Sequence, residues 1–173
     1  MKSSKKKYNI PPASGNRLHE PAAAYYSAQD GNWNSLKLMG LDTEDTLKPI
    51  ENTVDFINRI REGIPKAALD HLAAIIGFSS AEMAGIVHTS DRTLRRYSSD
   101  QRLTADQSER VVELAKLYAR GAEVFDSLEL FKTWMLTPID ALGAKMPKEF
   151  LDTSMGIDLL MDELGRIEHG IFA

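Results

Sequence analysis

An all-α fold is what this sequence predicts, and three observations predict it. From about residue 50 onward, apolar residues recur at spacings of three and four, and no stretch shows sustained apolar–polar alternation. Glycines, prolines and Ser/Thr caps cut that pattern into pieces of helical length. Hydrophobic residues make up 43% of the 173 residues, enough for a shared core, and charges interrupt every apolar run before it reaches membrane-spanning length.

Residues 1–49 are expected to form an N-terminal arm, partly disordered or weakly structured. Lys2, Lys5, Lys6 and Lys7 make a basic tip, and Pro11, Pro12, Gly15 and Pro21 follow. Such a composition buries too little apolar surface to offset the entropy of ordering. A first helix is expected to turn Val54, Ile57, Ile60 and Ile64 inward, with Gly63 ending it ahead of Pro65. A second starts at Pro65, carries Leu69, Leu72, Ala73 and Ile76, and stops at Gly77. Residues 79–97 read as two short helices with a tight turn between them. A long helix follows from Thr104 to about Val124, with Gln107 completing a capping box and Val111, Leu114, Ala115 and Tyr118 on its apolar face. Further helices are expected over Leu128–Met135, ending before Pro138, near Lys148–Leu151, and from Ser154 to His169. The organisation expected is therefore an arm (1–49), a helix-turn-helix domain (50–103) and a second helical unit (104–173) that begins with the long helix.

The segment 79–97 has the layout of a DNA-binding helix-turn-helix. Ser79 or Ser80 caps its first helix, Glu82 sits in the first turn, and Met83, Ala84 and Val87 face inward. Ser90 caps the second helix, and Leu94 and Tyr97 anchor it. Asp91, Arg92, Thr93, Arg95 and Arg96 are left outside. A recognition helix meets base edges with its N-terminal side chains, so Ser90, Asp91, Arg92, Thr93, Arg95, Arg96 and the following Arg102 form the candidate DNA-binding set. Arg92 and Arg95 suit base edges, and Arg96 and Arg102 suit phosphates. Asp91 would repel phosphate unless it pairs with an arginine or accepts from a cytosine amino group. The turn falls at His88, where glycine is usual because φ is positive, and Thr89 stands where an apolar residue is expected.

Net charge is −4, and its distribution is uneven. Residues 139–173 hold three basic and seven acidic side chains, whereas residues 79–102 hold four arginines and three acids. An acidic end and a locally basic middle point to two surfaces with different partners. Cysteine is absent, and His19, His71, His88 and His169 lie too far apart for metal-ligand spacing. No G-x-S-x-G, Walker or dinucleotide fingerprint is present. Neighbouring Glu168 and His169 point a third of a turn apart, a poor arrangement for a catalytic dyad. No metal, no cofactor and no catalysis by this chain are expected. Residues 1–12 lack the apolar core of a signal peptide, so a cytoplasmic location with no membrane partner is the expectation.

The run from Trp134 to Ala173 contains Leu136-Thr-Pro138, Ala141-Leu-Gly143, Pro147-Lys-Glu-Phe-Leu-Asp-Thr153 and the ending Gly165-Arg-Ile-Glu-His-Gly-Ile-Phe-Ala173. With the Ile64–Arg96 region upstream, this string resembles the Xre/MbcA/ParS family of antitoxins over about residues 60–173. The resemblance implies an Xre-like helix-turn-helix domain followed by a small helical toxin-binding domain. It implies a cognate RES-domain toxin, which consumes NAD, as partner, with the antitoxin blocking its active site and the complex repressing its own operon. It places toxin contacts at Arg166, Glu168, His169, Gly170, Ile171, Phe172 and Ala173, of which Arg166 and Glu168 are preferred. Acidic side chains and a C-terminal carboxylate at Ala173 would suit a pocket built for a pyrophosphate. Without that resemblance, Arg166 and Glu168 read as a surface ion pair. Operator DNA and a homodimer within a larger toxin–antitoxin complex complete the expected partners. Two other readings stand beside this one. The first is a stand-alone helix-turn-helix regulator whose C-terminal region dimerises or senses a ligand. The second is a protein inhibitor whose helix-turn-helix no longer binds DNA.

Overall fold

The computed structural model describes residues 32–41 and 52–170. Eight α-helices lie among them: α1 (Asn32–Leu38), α2 (Thr53–Glu62), α3 (Lys66–Ile76), α4 (Ser80–Ile86), α5 (Asp91–Arg96), α6 (Ala105–Val124), α7 (Leu128–Met135) and α8 (Ser154–Glu168). Two 3-10 turns, Asp140–Leu142 and Pro147–Phe150, fill the link between α7 and α8. No strand occurs among the described residues, and the all-α expectation holds.

The 20-residue α6 is the spine. Val111, Leu114, Ala115 and Tyr118 form its apolar face as expected, and Val112, Leu117 and Ala119 are buried as well. A helix buried around most of its circumference needs partners on several sides, and α1, α2, α3, α7 and α8 all pack on it. Thr104 caps it: its Oγ1 accepts the Gln107 N–H at 3.2 Å, and the Gln107 side-chain oxygen accepts the Thr104 N–H at 3.1 Å, which closes the expected capping box. α7 lies close on α6 because residue 121 is glycine: a Cβ there would run into the Phe131 ring. Phe131 stacks on Trp134 at 5.5 Å and meets Tyr118 edge-on at 5.1 Å.

The turn between α2 and α3 is pinned to the segment before α6. Gly63 has φ +85°, and a Cβ there would strike the Leu103 carbonyl. The Leu103 N–H donates to the Ile64 carbonyl at 2.9 Å. Two N–H groups at the start of α3, those of Lys66 and Ala67, donate to Gln101 and Ser99 carbonyls, so α3 needs no side-chain cap. Ser108 is fully buried and bridges the same junction: its Oγ accepts the Ile64 N–H at 3.0 Å and donates to the Thr104 carbonyl at 2.8 Å.

Two expectations are corrected. The arm expected over 1–49 contains a core element, because Leu36 and Met39 are buried and α1 packs on α6 and α3. Arm residues 1–31 and 42–49 lie outside the described ones. In α2 the inward face is turned from the one expected. Phe56 is buried and Ile60 partly so, whereas Val54 and Ile57 are exposed. Contact with α6 selects the Phe56 side, and Lys116 of α6 stands over the Phe56 ring at 5.5 Å.

Candidate nucleic-acid interface and toxin-facing surface

Local chemistry sets the helix-turn-helix. Ser79 caps α4: its Oγ accepts the Glu82 N–H at 3.3 Å, and the Glu82 carboxylate accepts the Ser79 N–H at 2.7 Å. Lys148, from the turn before α8, donates to the same carboxylate at 2.5 Å. Lys148 first and the Ser79 backbone second hold the Glu82 carboxyl down to about 2. Met83, Ala84 and Val87 are buried as expected. The helix ends in a six-to-one bond from the Thr89 N–H to the Ala84 carbonyl, with His88 at φ +53° in the place glycine usually takes. Ser90 then caps α5 by accepting the Thr93 N–H at 3.0 Å, and its Oγ lies 2.7 Å from the Thr93 hydroxyl.

On α5, Leu94 is buried and Arg92, Thr93, Arg95 and Arg96 are exposed. Asp91 does pair with an arginine: its Oδ1 accepts from Arg95 Nε at 2.9 Å, and from Ser80 Oγ at 2.7 Å. Hydrogen bonds from Arg95 and then Ser80 hold its carboxyl below the usual range. No described side chain pairs with Arg92 or Arg96. Five candidates, Asp91, Arg92, Thr93, Arg95 and Arg96, thus share one short helix, and Ser90 caps it. Arg102 is engaged elsewhere, donating from Nη1 to the Gly63 carbonyl at 2.6 Å and closing the C-terminal end of α2.

At the other end of the fold, Arg166 and Glu168 do not pair with each other. Arg166 bonds to the nearly buried Glu163, and Glu168 bonds to Arg120 of α6. Arg120 also faces Glu123 at 3.5 Å, and Asn34 of α1 donates to Glu123 at 2.7 Å. His169 and Gly170 are exposed. Ile171, Phe172 and Ala173 lie outside the described residues. Among the described residues no cluster of His, Asp and Glu could hold a metal ion, and no helix is long and apolar enough to cross a membrane.

Sequence reasoning missed the group that joins the two sites. Arg110 is buried, donating from Nε to the Ile86 carbonyl at 3.3 Å and from Nη2 to the Leu151 carbonyl at 2.7 Å. Its Nη1 reaches Glu113 at 2.5 Å and Ser154 Oγ at 3.0 Å. The end of α4 and the start of α8 are therefore held by one guanidinium. The only trace of this in the sequence is a charge beside Val111, on a helix whose apolar residues run nearly all round.

A two-helix motif with exposed arginines on its second helix, joined through one spine to a helical C-terminal unit, defines the class of helix-turn-helix proteins that carry a further helical domain. Residues 55–116 match the antitoxin Xre-like helix-turn-helix domain, and residues 120–170 match the antitoxin Xre/MbcA/ParS C-terminal toxin-binding domain. An antitoxin Xre from Photorhabdus laumondii is 31% identical over 114 residues, 65% of this chain and 77% of that protein. Another antitoxin Xre, from Yersinia enterocolitica, is 29% identical over 128 residues, 72% of this chain and 86% of that protein. A Sphingobium protein named Prs ADP-ribosylating antitoxin is 28% identical over 130 residues, 69% of this chain and 82% of that protein. The chain belongs to the Xre family of antitoxins, and is the antitoxin of a toxin–antitoxin system with a helix-turn-helix domain.

Proposed function

We propose that this antitoxin neutralises a RES-domain, NAD-consuming toxin by occluding its active site with the C-terminal region, and represses its own operon in the cytoplasm as a homodimer gripping operator DNA through α5. The observation that carries the reading is the match of residues 120–170 to a toxin-binding domain whose last helix ends in exposed residues. Arg120 and Glu163 hold Glu168 and Arg166 on the domain surface, and His169 and Gly170 beside them are exposed to a partner. The name of the Sphingobium relative attaches ADP-ribosylation to a protein similar to this one, and NAD is the usual ADP-ribose donor. Two-fold operators pair with two-fold dimers, which supports the homodimer.

Coexpression with the neighbouring open reading frame tests the reading. The full chain is expected to restore growth and NAD levels, and a chain lacking residues 166–173 to bind the partner more weakly and fail to restore them. Rescue by the truncated chain at full strength would remove the occlusion mechanism. A neighbouring product that leaves NAD unchanged would remove the RES assignment.

A further inference from the structure

We propose that Asp91, anchored by Ser80, is a positioning residue that aims Arg95 end-on at a guanine of the operator. The inference rests on the reading of α5 as the recognition helix. One oxygen, Asp91 Oδ1, receives the Ser80 hydroxyl of α4 at 2.7 Å and the Arg95 Nε of α5 at 2.9 Å. That oxygen ties α5 to α4 through Ser80 and at the same time holds the outward-facing arginine of α5. The Arg95 side chain is 67% exposed and that of Asp91 35%.

The chemistry of the fork gives this geometry its meaning. A guanidinium has five donors in a rigid plane, and Nε is the one taken by Asp91. The two Nη groups remain, and their shared outer edge is the one that fits guanine O6 and N7 with two parallel bonds. An unrestrained arginine loses rotamer freedom when it docks; one already held at Nε loses less. Asp91 is N-terminal to Arg95 at i,i+4, the favourable order for a helical pair. Arg92 and Arg96 lie on the same helix without such a tether among the described side chains, which suits contact with phosphates at variable geometry. A carboxylate this close to a duplex would otherwise cost affinity, and its two bonds account for its presence. Asp91 thereby moves from the set of DNA contacts to the set that orients one.

The test is selection of a binding site from a randomised duplex library by the full chain. Binding of the selected site is then measured by anisotropy across a salt series, with each guanine replaced in turn. Arg95→Lys is expected to reduce the preference for one guanine by about tenfold or more while leaving the salt slope unchanged. Asp91→Asn is expected to reduce that same preference even as it removes a negative charge and raises affinity for unrelated DNA. Ser80→Ala should act in the same direction with a smaller loss, and thermal melting of all three variants serves as the control for folding. Equal tightening by Asp91→Asn at every base, with the preference intact, would reduce Asp91 to a repulsive charge and overturn the inference. So would a selected site in which no guanine responds to Arg95→Lys. A full chain that selects no sequence overturns the recognition-helix reading, and the inference falls with it.

Discussion

Replacing Arg110 with methionine is expected to cost about 3 kcal/mol of folding stability. The side chain is 9% exposed, and its donors serve three elements at once: the Ile86 carbonyl ending α4, the Leu151 carbonyl before α8, and the Glu113–Ser154 pair. A hydrogen bond from a charged donor is worth roughly 1.5–3 kcal/mol, and a buried acceptor stripped of its donor carries the full desolvation penalty. Losing two buried carbonyl partners sets the scale at about 3 kcal/mol or somewhat above. Breaking a buried ion pair costs about 3–5 kcal/mol, but Glu113 is 28% exposed and regains water, so the lower end applies. Methionine keeps most of the stem, which separates lost bonding from lost packing. Urea denaturation followed by circular dichroism and tryptophan fluorescence would read the change, with both probes shifting together because α4 and α8 share the anchor. Arg110→Lys should fall between the two, since one ammonium cannot reach all three elements. A cost below about 1 kcal/mol, the range of exposed ion pairs, would refute the assignment of Arg110 as the link between the two halves.

Ser108→Ala strands the Ile64 N–H in the core. The expected loss is about 1–3 kcal/mol, with faster amide exchange at Ile64; slow exchange there would show that another acceptor takes over. Acid should weaken the tie between α4 and the turn before α8. Glu82 has its folded pKa lowered from 4.5 to about 2, so its contribution is present above pH 4.5 and fades as pH falls toward 2. The Glu82 side chain is 40% exposed and therefore screened, which limits the effect to under about 1 kcal/mol. The wild-type Tm is expected to drop more steeply than that of Glu82→Gln across this window; identical slopes would exclude Glu82 as the titrating group.

Local signals were the readable ones. Caps at Ser79, Ser90 and Thr104 depend on side chains within three residues, and all three form as the pattern implied. The positive φ at His88 followed from the spacing of the two short helices. What depends on distant contacts was not readable. Seven residues make α1 too short to be stable alone; burial of Leu36 and Met39 against the rest of the fold decides it. In α2 two faces carried apolar residues, Phe56 with Ile60 and Val54 with Ile57, and only the approach of α6 picks between them. The pairing of Arg166 with Glu163 and of Glu168 with Arg120 replaced the nearer pair that sequence adjacency favoured. Of those partners, Arg120 lies 48 residues away along the chain.

The unbroken run of α6 also governs how such antitoxins can be recombined. The two matched regions meet between residues 116 and 120, inside a helix with no break from Ala105 to Val124. A splice there would graft a foreign half-helix onto a host one, setting the first part of α6 from one parent in the same core as α7 and α8 of another. Exchanging the C-terminal unit while keeping the helix-turn-helix therefore requires transplanting the helices that clasp α6 together with the face they clasp, not a cut at the module border.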